Sequence, residues 1–260
     1  MKLITLMDYE DPAKVLMCKG WLFLARRFNP HTAITVLHGR KDITGIERFA
    51  KDRIGNVSFA KLDLDAILPK EKMNGHVFPS QDLTFARWVT LERLGYDKYI
   101  FVEADAMVLA DLEPWRRVMY EKPFIAVKED DRKGPPYFNI GVFSHNAPRP
   151  FFTYEKLMRE YRLQGDSIPI STGDQALANL VAWRDGYDAF HPKIDVTWNC
   201  PTYGRWYPTG LVRVGRADDL AVEAFYDGRP VNILHTWGPL KWWDTRELRP
   251  ITEYLEGKIR

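Results

Sequence analysis

The chain has 260 residues, 45% of them hydrophobic and 28% charged, and its 37 basic and 35 acidic side chains leave a formal net charge of +2. This length accommodates one large α/β domain with a substantial core, and the composition excludes a disordered or fibrous protein. The small net charge does not favour a dedicated nucleic-acid binder, because such proteins normally carry a strong basic excess.

Cysteine usage and the N-terminal segment bear on the compartment. Cys18 and Cys200 lie far apart and form no Cys-x-x-Cys pair, which favours a reducing compartment over a disulfide scaffold or a zinc knuckle. The N-terminal apolar run meets an acidic residue at Asp8 and is too short for a signal peptide, and no long uncharged apolar run follows it. We therefore expect a cytoplasmic protein without a stable membrane anchor.

Strand-like runs alternate with helical patterns through the first half of the chain, which predicts a layered βαβ-type domain. The predicted strands are 3–7, 32–37, 56–62, 98–102, 124–127 and 137–144, and the predicted helices are 12–27, 43–51, 80–94, 150–162 and 172–183. Asp11 and Pro12 supply an N-cap and a first-turn proline for the first helix, and Ser80 supplies the N-cap of the third. Beyond Asp188 the pattern predicts short strands and loops rich in Pro, Gly and Trp. No linker composition interrupts the chain, so we expect a single domain over residues 1–260.

The strand predicted at 98–102 leads into two carboxylates. Its near-continuous apolar run is typical of a buried parallel strand, and Glu103-Ala104-Asp105 follows directly. Open α/β sheets bind ligands outside the carboxyl ends of their strands. Two carboxylates one residue apart suit Mg²⁺ or Mn²⁺, which a diphosphate needs to offset its charge. A triplet of this kind on its own is more often an acidic cap at a strand end.

Three further segments accompany this one. Residues 138–143 read Phe-Asn-Ile-Gly-Val-Phe, residues 173–175 read Gly-Asp-Gln, and residues 233–243 contain His235, Gly238 and Lys241 before a pair of tryptophans. Together with the segment 96–109, in this order, they resemble glycosyltransferase family 8, the glycogenin and lipopolysaccharide-galactosyltransferase group, over roughly residues 83–243. The chain departs from the family pattern at Glu103, where the family has Asp, and at Ser171, where it often has an additional Asp.

The resemblance implies a fold, a reaction and a set of site residues. The fold is α/β, a single GT-A-type domain with a Rossmann-like mixed sheet flanked by helices. The reaction is transfer of a hexose from a UDP-sugar to an acceptor hydroxyl with retention of configuration, assisted by Mn²⁺ (or Mg²⁺) bound by Glu103, Asp105 and His235. The residues expected to bind the donor are Leu6, Tyr9, Arg87, Glu103, Ala104, Asp105, Asn139, Gly238 and Lys241, and the residues expected to act on the sugar are Asp174 and Gln175.

The segment 235–243 is expected to close over the diphosphate. It places an imidazole at His235, a glycine turn at Gly238 and an ammonium at Lys241 within nine consecutive residues. Trp237, with Trp242 or Trp243, is expected to shield the donor from water. The competing interpretation is a Trp-rich packing strand whose His and Lys face solvent.

Other nucleotide-binding classes fit less well. Sugar nucleotidyltransferases and Rossmann dehydrogenases carry a Gly-rich loop after the first strand, whereas residues 8–12 read Asp-Tyr-Glu-Asp-Pro. A non-catalytic sugar- or nucleotide-binding protein on a decayed transferase fold is the alternative that stays open. The acceptor is open between a saccharide, a protein, a small molecule and a modified nucleic acid, and the mechanism between front-face transfer and double displacement.

Overall fold

The computed structural model describes residues 1–62, 79–95, 97–129, 136–146, 151–164, 173–202, 212–236 and 246–260. The strands are β1 Lys2–Leu6, β2 Ala33–His38, β3 Val57–Lys61, β4 Lys98–Val102, β5 Ala106–Val108, β6 Phe124–Lys128, β7 Phe138–Asn146, β8 Cys200–Pro201, β9 Val212–Ala217, β10 Val222–Tyr226, β11 Arg229–Pro230 and β12 Ile233–His235. The helices are α1 Pro12–Phe28, α2 Thr44–Phe49, α3 Pro79–Arg93, α4 Glu113–Val118, α5 Tyr154–Gln164, α6 Gly173–Arg184 and α7 Arg249–Ile259.

The central feature is a six-stranded mixed sheet with the order β3-β2-β1-β4-β7-β6. Strands β1 to β4 pair in parallel, with Leu3 opposite Ile34 and Ile100, while β7 runs antiparallel to both β4 and β6. The prediction of a mixed sheet flanked by helices is therefore confirmed. The expectation that 98–102 is a parallel strand holds for its pairing with β1 and not for its pairing with β7.

Alternate residues of the central strands point into two different cores. Leu3 and Ile100 belong to the cluster that contains the buried face of α1, whereas Ile4 and Phe101 belong to the cluster packed under α3 and α6. This alternation follows from the two-residue period of a strand, which sends successive side chains to opposite faces. The continuous apolar run of β4 is thus explained, because both faces of the strand are covered.

The start of α1 follows the sequence prediction. The Asp11 carboxylate accepts a hydrogen bond from Lys14 N at 3.1 Å, and Pro12 occupies the first helical position. The first turn of a helix has N–H groups without a partner inside the helix. Asp11 accepts a hydrogen bond from one of them, and Pro12 has no N–H that would need a partner.

Two predicted helix starts are wrong. The third helix begins at Pro79, one residue before the predicted N-cap position, so Ser80 lies within α3. The helix predicted from residue 150 begins at Tyr154, because Thr153 caps it: Thr153 Oγ1 accepts from Lys156 N at 3.0 Å and its carbonyl accepts from Leu157 N at 3.0 Å. A threonine in this place competes with the helix for the local donors and fixes its first turn.

The prediction of only short strands and loops beyond Asp188 misses α7. Pro250 stands in the first turn of this helix, and Ile251, Leu255 and Ile259 are all buried. Their spacing of four residues is the apolar stripe of an amphipathic helix, so the signal was present in the sequence. This helix packs against α1 on the outside of the first core. No helix in the described part of the chain is long and apolar enough to cross a membrane.

A smaller sheet lies at the carboxyl end of β4 and has the order β5-β12-β8. Strand β12 runs antiparallel to β5, with His235 opposite Ala106, and parallel to β8, with His235 opposite Pro201. Three short strands from distant parts of the chain are thereby held side by side directly after Glu103.

Candidate functional site

The site lies where the order of the parallel strands reverses direction. From β1 the chain continues to β2 on one side, while β4 lies on the other side of β1. Such a switch point leaves a crevice outside the carboxyl ends of the two central strands. Tyr9 follows β1 and Glu103 follows β4, so both border this crevice. Burial, and next the Asp105 carboxylate, raise the pKa of Tyr9, which keeps its hydroxyl protonated.

The smaller sheet brings together three side chains that are distant in sequence. Glu103, Asp105 and His235 each offer one ligand atom, and these atoms all lie within 4.8 Å of one another. The register of β5 and β12 causes this, because it sets His235 beside Ala106. Thr236 reinforces the junction by donating to the Asp105 carbonyl from its backbone N at 3.1 Å and from Oγ1 at 2.9 Å.

The imidazole of His235 faces both carboxylates. Its Nε2 lies 3.4 Å from Glu103 Oε2 and 3.3 Å from Asp105 Oδ1, and among the described residues no hydrogen bond of ordinary geometry reaches this buried atom. Burial tends to lower the pKa of His235, but the two carboxylates raise it to about 9. Burial likewise tends to raise the pKa of Glu103, but His235 and then Arg87 hold it below its ordinary value.

These three residues fit a divalent cation. Two carboxylate oxygens and one imidazole nitrogen are a donor set that suits Mn²⁺ and that also accommodates Mg²⁺. A buried imidazole nitrogen that faces two carboxylates without a hydrogen bond of ordinary geometry is compatible with a cation among the three groups. The structure thus brings together the three residues expected to bind the metal.

Gly141 allows this close assembly. A Cβ atom at this position would lie 2.2 Å from His235 Cε1 and 2.9 Å from Glu103 Oε2. Only glycine, which has no side chain, leaves enough space for His235 and Glu103 to approach each other here. Its carbonyl also accepts from Glu103 N at 2.8 Å, which fixes the backbone where β4 ends.

Arg87 joins Glu103 to Asp174. Its guanidinium is 1% exposed and donates to Glu103 Oε1 at 2.9 Å and to Asp174 Oδ2 at 2.9 and 2.6 Å. Trp88 Nε1 donates to the same Asp174 oxygen at 2.7 Å, so every hydrogen bond that the described residues give this carboxylate falls on Oδ2. Arg87, which was expected to contact the donor, is therefore hydrogen-bonded to these two carboxylates.

Gln175 and Asn139 also lie beside the candidate metal site. Gln175 Oε1 accepts from Ile140 N at 3.2 Å, and its Nε2 donates to Glu129 at 3.1 Å. Asn139 donates to the same Glu129 oxygen at 3.1 Å. Sequence reasoning missed Glu129, and it missed Asn199, whose Oδ1 lies 2.8 Å from His235 Nδ1. No local pattern distinguishes either residue, because their partners come from other strands.

The remaining predicted residues are placed as follows. Leu6 ends β1 and packs against the second core, and Ala104 is buried in the turn between β4 and β5. Gly238, Lys241 and the tryptophans of the segment 237–243 lie outside the described residues, and so does Ser171. The expected closure of that segment over a diphosphate stays a prediction.

No family model and no curated protein matches the chain. Among solved structures, the galactosyltransferase LgtC in complex with donor and acceptor sugar analogues is similar, with a TM-score of 0.63 and 18% identity over 99% of this chain and 96% of that chain. The glycosyltransferase GlyE of Streptococcus pneumoniae TIGR4 gives a TM-score of 0.64 and 20% identity over 98% of this chain and 59% of its own. Mouse xyloside xylosyltransferase 1 gives 0.57 and 13% over 92% and 99%. The chain has the GT-A fold of these glycosyltransferases, which its motifs predicted.

Proposed function

We propose that this protein is a divalent-metal-dependent glycosyltransferase that moves a hexose from a UDP-sugar to an acceptor hydroxyl with retention of configuration. One observation carries the proposal. In a GT-A fold, the buried His235 Nε2 faces Glu103 and Asp105 at the switch point of the sheet without a hydrogen bond from the described residues.

The ligand class follows from the fold and the chemistry of the site. The similar LgtC structure holds donor and acceptor sugar analogues. When bound, Mn²⁺ or Mg²⁺ offsets the charge of a diphosphate leaving group and so favours departure of the nucleotide. The three ligand atoms lie at the carboxyl ends of β1 and β4, where an open α/β sheet binds its ligand.

Arg87, Asp174 and Gln175 have different proposed roles around the cation and the sugar. Arg87 holds Glu103 by Oε1, which leaves Oε2 directed at His235 and the cation position. Asp174 uses Oδ2 for Arg87 and Trp88, so its Oδ1 is the oxygen we assign to a sugar hydroxyl. Gln175 follows Asp174 at the same helix end, and we assign its side chain to the sugar as well.

The reaction places its charge close to these groups. Breaking the bond between sugar and diphosphate gives the sugar an oxocarbenium-like character, which nearby carboxylate oxygens stabilise. Asp174 and Glu103 supply that negative potential, and both are hydrogen-bonded to Arg87. Burial raises the pKa of Asp174 above its ordinary value although Arg87 opposes this, whereas at Glu103 burial is outweighed by His235 and Arg87, which hold its pKa below its ordinary value. The arrangement is therefore suited to a retaining transfer, in which charge develops on the sugar while the nucleotide leaves.

The test is release of UDP from a panel of UDP-sugars, with Mn²⁺ and with EDTA, together with NMR assignment of the product anomer. Turnover that requires Mn²⁺ and a product with the donor's configuration would support the proposal. Asp97→Asn, at the opposite end of β4, is the matched control for Asp105→Asn and should keep full activity. Metal-dependent UDP binding without turnover on any donor would instead identify a non-catalytic binder. Equal UDP affinity in Mn²⁺ and in EDTA would exclude both.

A further inference from the structure

A chain of hydrogen bonds begins at Nδ1 of His235, the ring nitrogen on the side opposite Glu103 and Asp105. His235 Nδ1 lies 2.8 Å from Asn199 Oδ1, and Asn199 Nδ2 donates to Asn139 Oδ1 at 3.0 Å. Asn139 Nδ2 then donates to Glu129 Oε1 at 3.1 Å, and Gln175 Nε2 donates to that same oxygen at 3.1 Å. The chain thus connects the candidate metal site to a residue assigned to the sugar.

The direction of every bond in this chain is fixed. Gly141 N donates to Asn139 Oδ1 at 2.7 Å, so this oxygen is an acceptor and the amino group of Asn139 points at Glu129. The carboxylate of Glu129 suits this arrangement because it accepts from the amide without competing as a donor. Reversing the Asn139 amide would bring its NH₂ against the Gly141 N–H.

The same logic continues to the imidazole. Because Asn139 Oδ1 is an acceptor, Asn199 must present its amino group to it and its carbonyl oxygen to His235. An acceptor at Asn199 Oδ1 requires that His235 Nδ1 carry a hydrogen. Nε2 is then the nitrogen that offers a lone pair to a cation once it has lost its proton.

The other end of the chain is anchored as firmly. Ile140 N donates to Gln175 Oε1 at 3.2 Å, so the Gln175 amino group must face Glu129. Glu129, Asn139 and Asn199 are 8%, 7% and 6% exposed, so water has little access to replace their hydrogen bonds. One buried carboxylate oxygen therefore orients amides in both directions.

We propose that Asn199 and Glu129 are positioning residues, which hold His235 as the Nδ1–H tautomer and aim its Nε2 at the cation. This inference rests on the proposed function. Histidine ligands of metals usually donate their other ring N–H to a carboxylate or carbonyl. Here the side-chain carbonyl of Asn199 accepts that N–H, and Asn199 is in turn linked through Asn139 to the Glu129 carboxylate. Glu129 Oε1 also accepts from Gln175 Nε2, so the same carboxylate orients both the residues leading to His235 and a residue that we assign to the sugar.

The test combines Mn²⁺ affinity without nucleotide and the tautomer of His235 in the metal-free protein. Affinity is measured by calorimetry, and the tautomer by long-range ¹H–¹⁵N correlation on histidine-labelled protein at a pH where the ring is neutral. Asn199→Leu should lower Mn²⁺ affinity by about tenfold or more, the size of effect seen when the partner of a ligand is removed. It should also convert the ring to a mixture containing Nε2–H.

Further variants separate positioning from packing. Asn199→Asp keeps an acceptor for His235 Nδ1, so it should keep the Nδ1–H tautomer that Asn199→Leu loses. Glu129→Gln removes the charged acceptor of Asn139 Nδ2 while Gly141 N still holds Asn139 Oδ1, so it should lower affinity in the same sense and by less. Asn179→Leu is the matched control: Asn179 is a buried amide bonded to the backbone of Phe138 and Gln175, outside the chain to His235. It should leave both tautomer and affinity unchanged.

The outcomes also separate this inference from the proposed function. An unchanged Nδ1–H tautomer in Asn199→Leu, or an equal affinity loss in Asn179→Leu, would overturn the inference while wild-type transfer still stood. A wild-type protein that binds no Mn²⁺ and releases no UDP would refute the proposed function, and with it the role of the chain in aiming a metal ligand.

Discussion

Two buried polar networks meet at the candidate metal site, and they are built from different chemistry. On the Glu103 side, the Arg87 guanidinium holds two carboxylates by charged hydrogen bonds of 2.6–2.9 Å. On the His235 side, neutral amides follow one another at 2.8–3.1 Å and end at a single carboxylate. Charged hydrogen bonds are the stronger of the two kinds, whereas side-chain amides have both a donor and an acceptor end and can pass a hydrogen-bond direction from one residue to the next.

The difference shows that the site has two separate requirements: the position of its negative charges and the choice of which His235 nitrogen carries the proton. The ionic network fixes where negative charge lies, because the guanidinium of Arg87 donates its hydrogen bonds in one plane to oxygens of Glu103 and Asp174. The amide chain fixes which imidazole nitrogen is protonated, which charge alone would not decide. Substitutions in the first network should therefore act mainly on stability, and substitutions in the second mainly on metal affinity.

The largest expected effect comes from Arg87→Met. This change leaves Glu103 and Asp174 without their shared cation, and breaking a buried ion pair in this way costs about 3–5 kcal/mol of unfolding free energy. Urea denaturation followed by circular dichroism measures it. Arg116→Met, which removes an ion pair with Glu113 on the surface, is the control and should keep a midpoint close to wild type. A small loss in Arg87→Met would mean that the ionic network is not the stronger one.

Asp105→Asn should show the opposite balance. It removes a proposed metal ligand while keeping the shape of the side chain, so Mn²⁺-dependent UDP affinity should fall by more than about a hundredfold, beyond the range for residues that merely support a ligand. Its unfolding free energy should fall by less than that of Arg87→Met, because the buried His235 keeps Glu103 as a neighbouring carboxylate. Calorimetry with and without EDTA measures the affinity. A variant that kept metal-dependent binding would remove Asp105 from the site.

Gly141→Ala tests the point where the networks touch. The added methyl would overlap His235 Cε1 at 2.2 Å and Glu103 Oε2 at 2.9 Å, so both side chains must move. Overpacking of this kind costs about 1–3 kcal/mol, and we expect a lower Mn²⁺ affinity with it. Gly257→Ala in α7 meets no atom within 4 Å and should stabilise the protein slightly. If both alanine variants behaved alike, the close approach at Gly141 would be unimportant.

The elements with strong periodicity were predictable from sequence. The run 98–102 matches β4 in both bounds, and Asp11 caps α1 as its position before Pro12 indicates. The start of α5 was missed because Thr153 captures the first donors, an effect of one side chain that periodicity does not register. Helix α7 was missed although Ile251, Leu255 and Ile259 carry its pattern, because the surrounding Trp, Pro and Gly residues favoured loops.

The residues of the candidate site also differ in how far the sequence predicts them. Glu103, Asp105 and His235 were expected to lie together only because of a family resemblance, since nothing local to His235 shows that β12 pairs with β5. Asn199 and Glu129 were not expected at all. Their roles arise from contacts between β8, β12, β7 and the end of β6, and such cross-strand placement has no period in the sequence.

The smallest expected effect concerns Thr236, which joins the two sides through the Asp105 backbone. Thr236→Val removes the 2.9 Å hydrogen bond from Oγ1 but keeps the 3.1 Å hydrogen bond from the backbone N. The Asp105 carbonyl therefore still accepts one hydrogen bond. The loss should then be that of one ordinary hydrogen bond, about 0.5–1.5 kcal/mol, and Mn²⁺ affinity should change by less than for Gly141→Ala. Thr90→Val is the control, because the buried Thr90 Oγ1 has no hydrogen-bond partner among the described residues and its removal should be neutral or stabilising. Paired denaturation curves measure both. Equal losses in the two variants would show that the threonine hydroxyl contributes only packing, and that the strand pairing of β5 with β12 holds Asp105 in place without it.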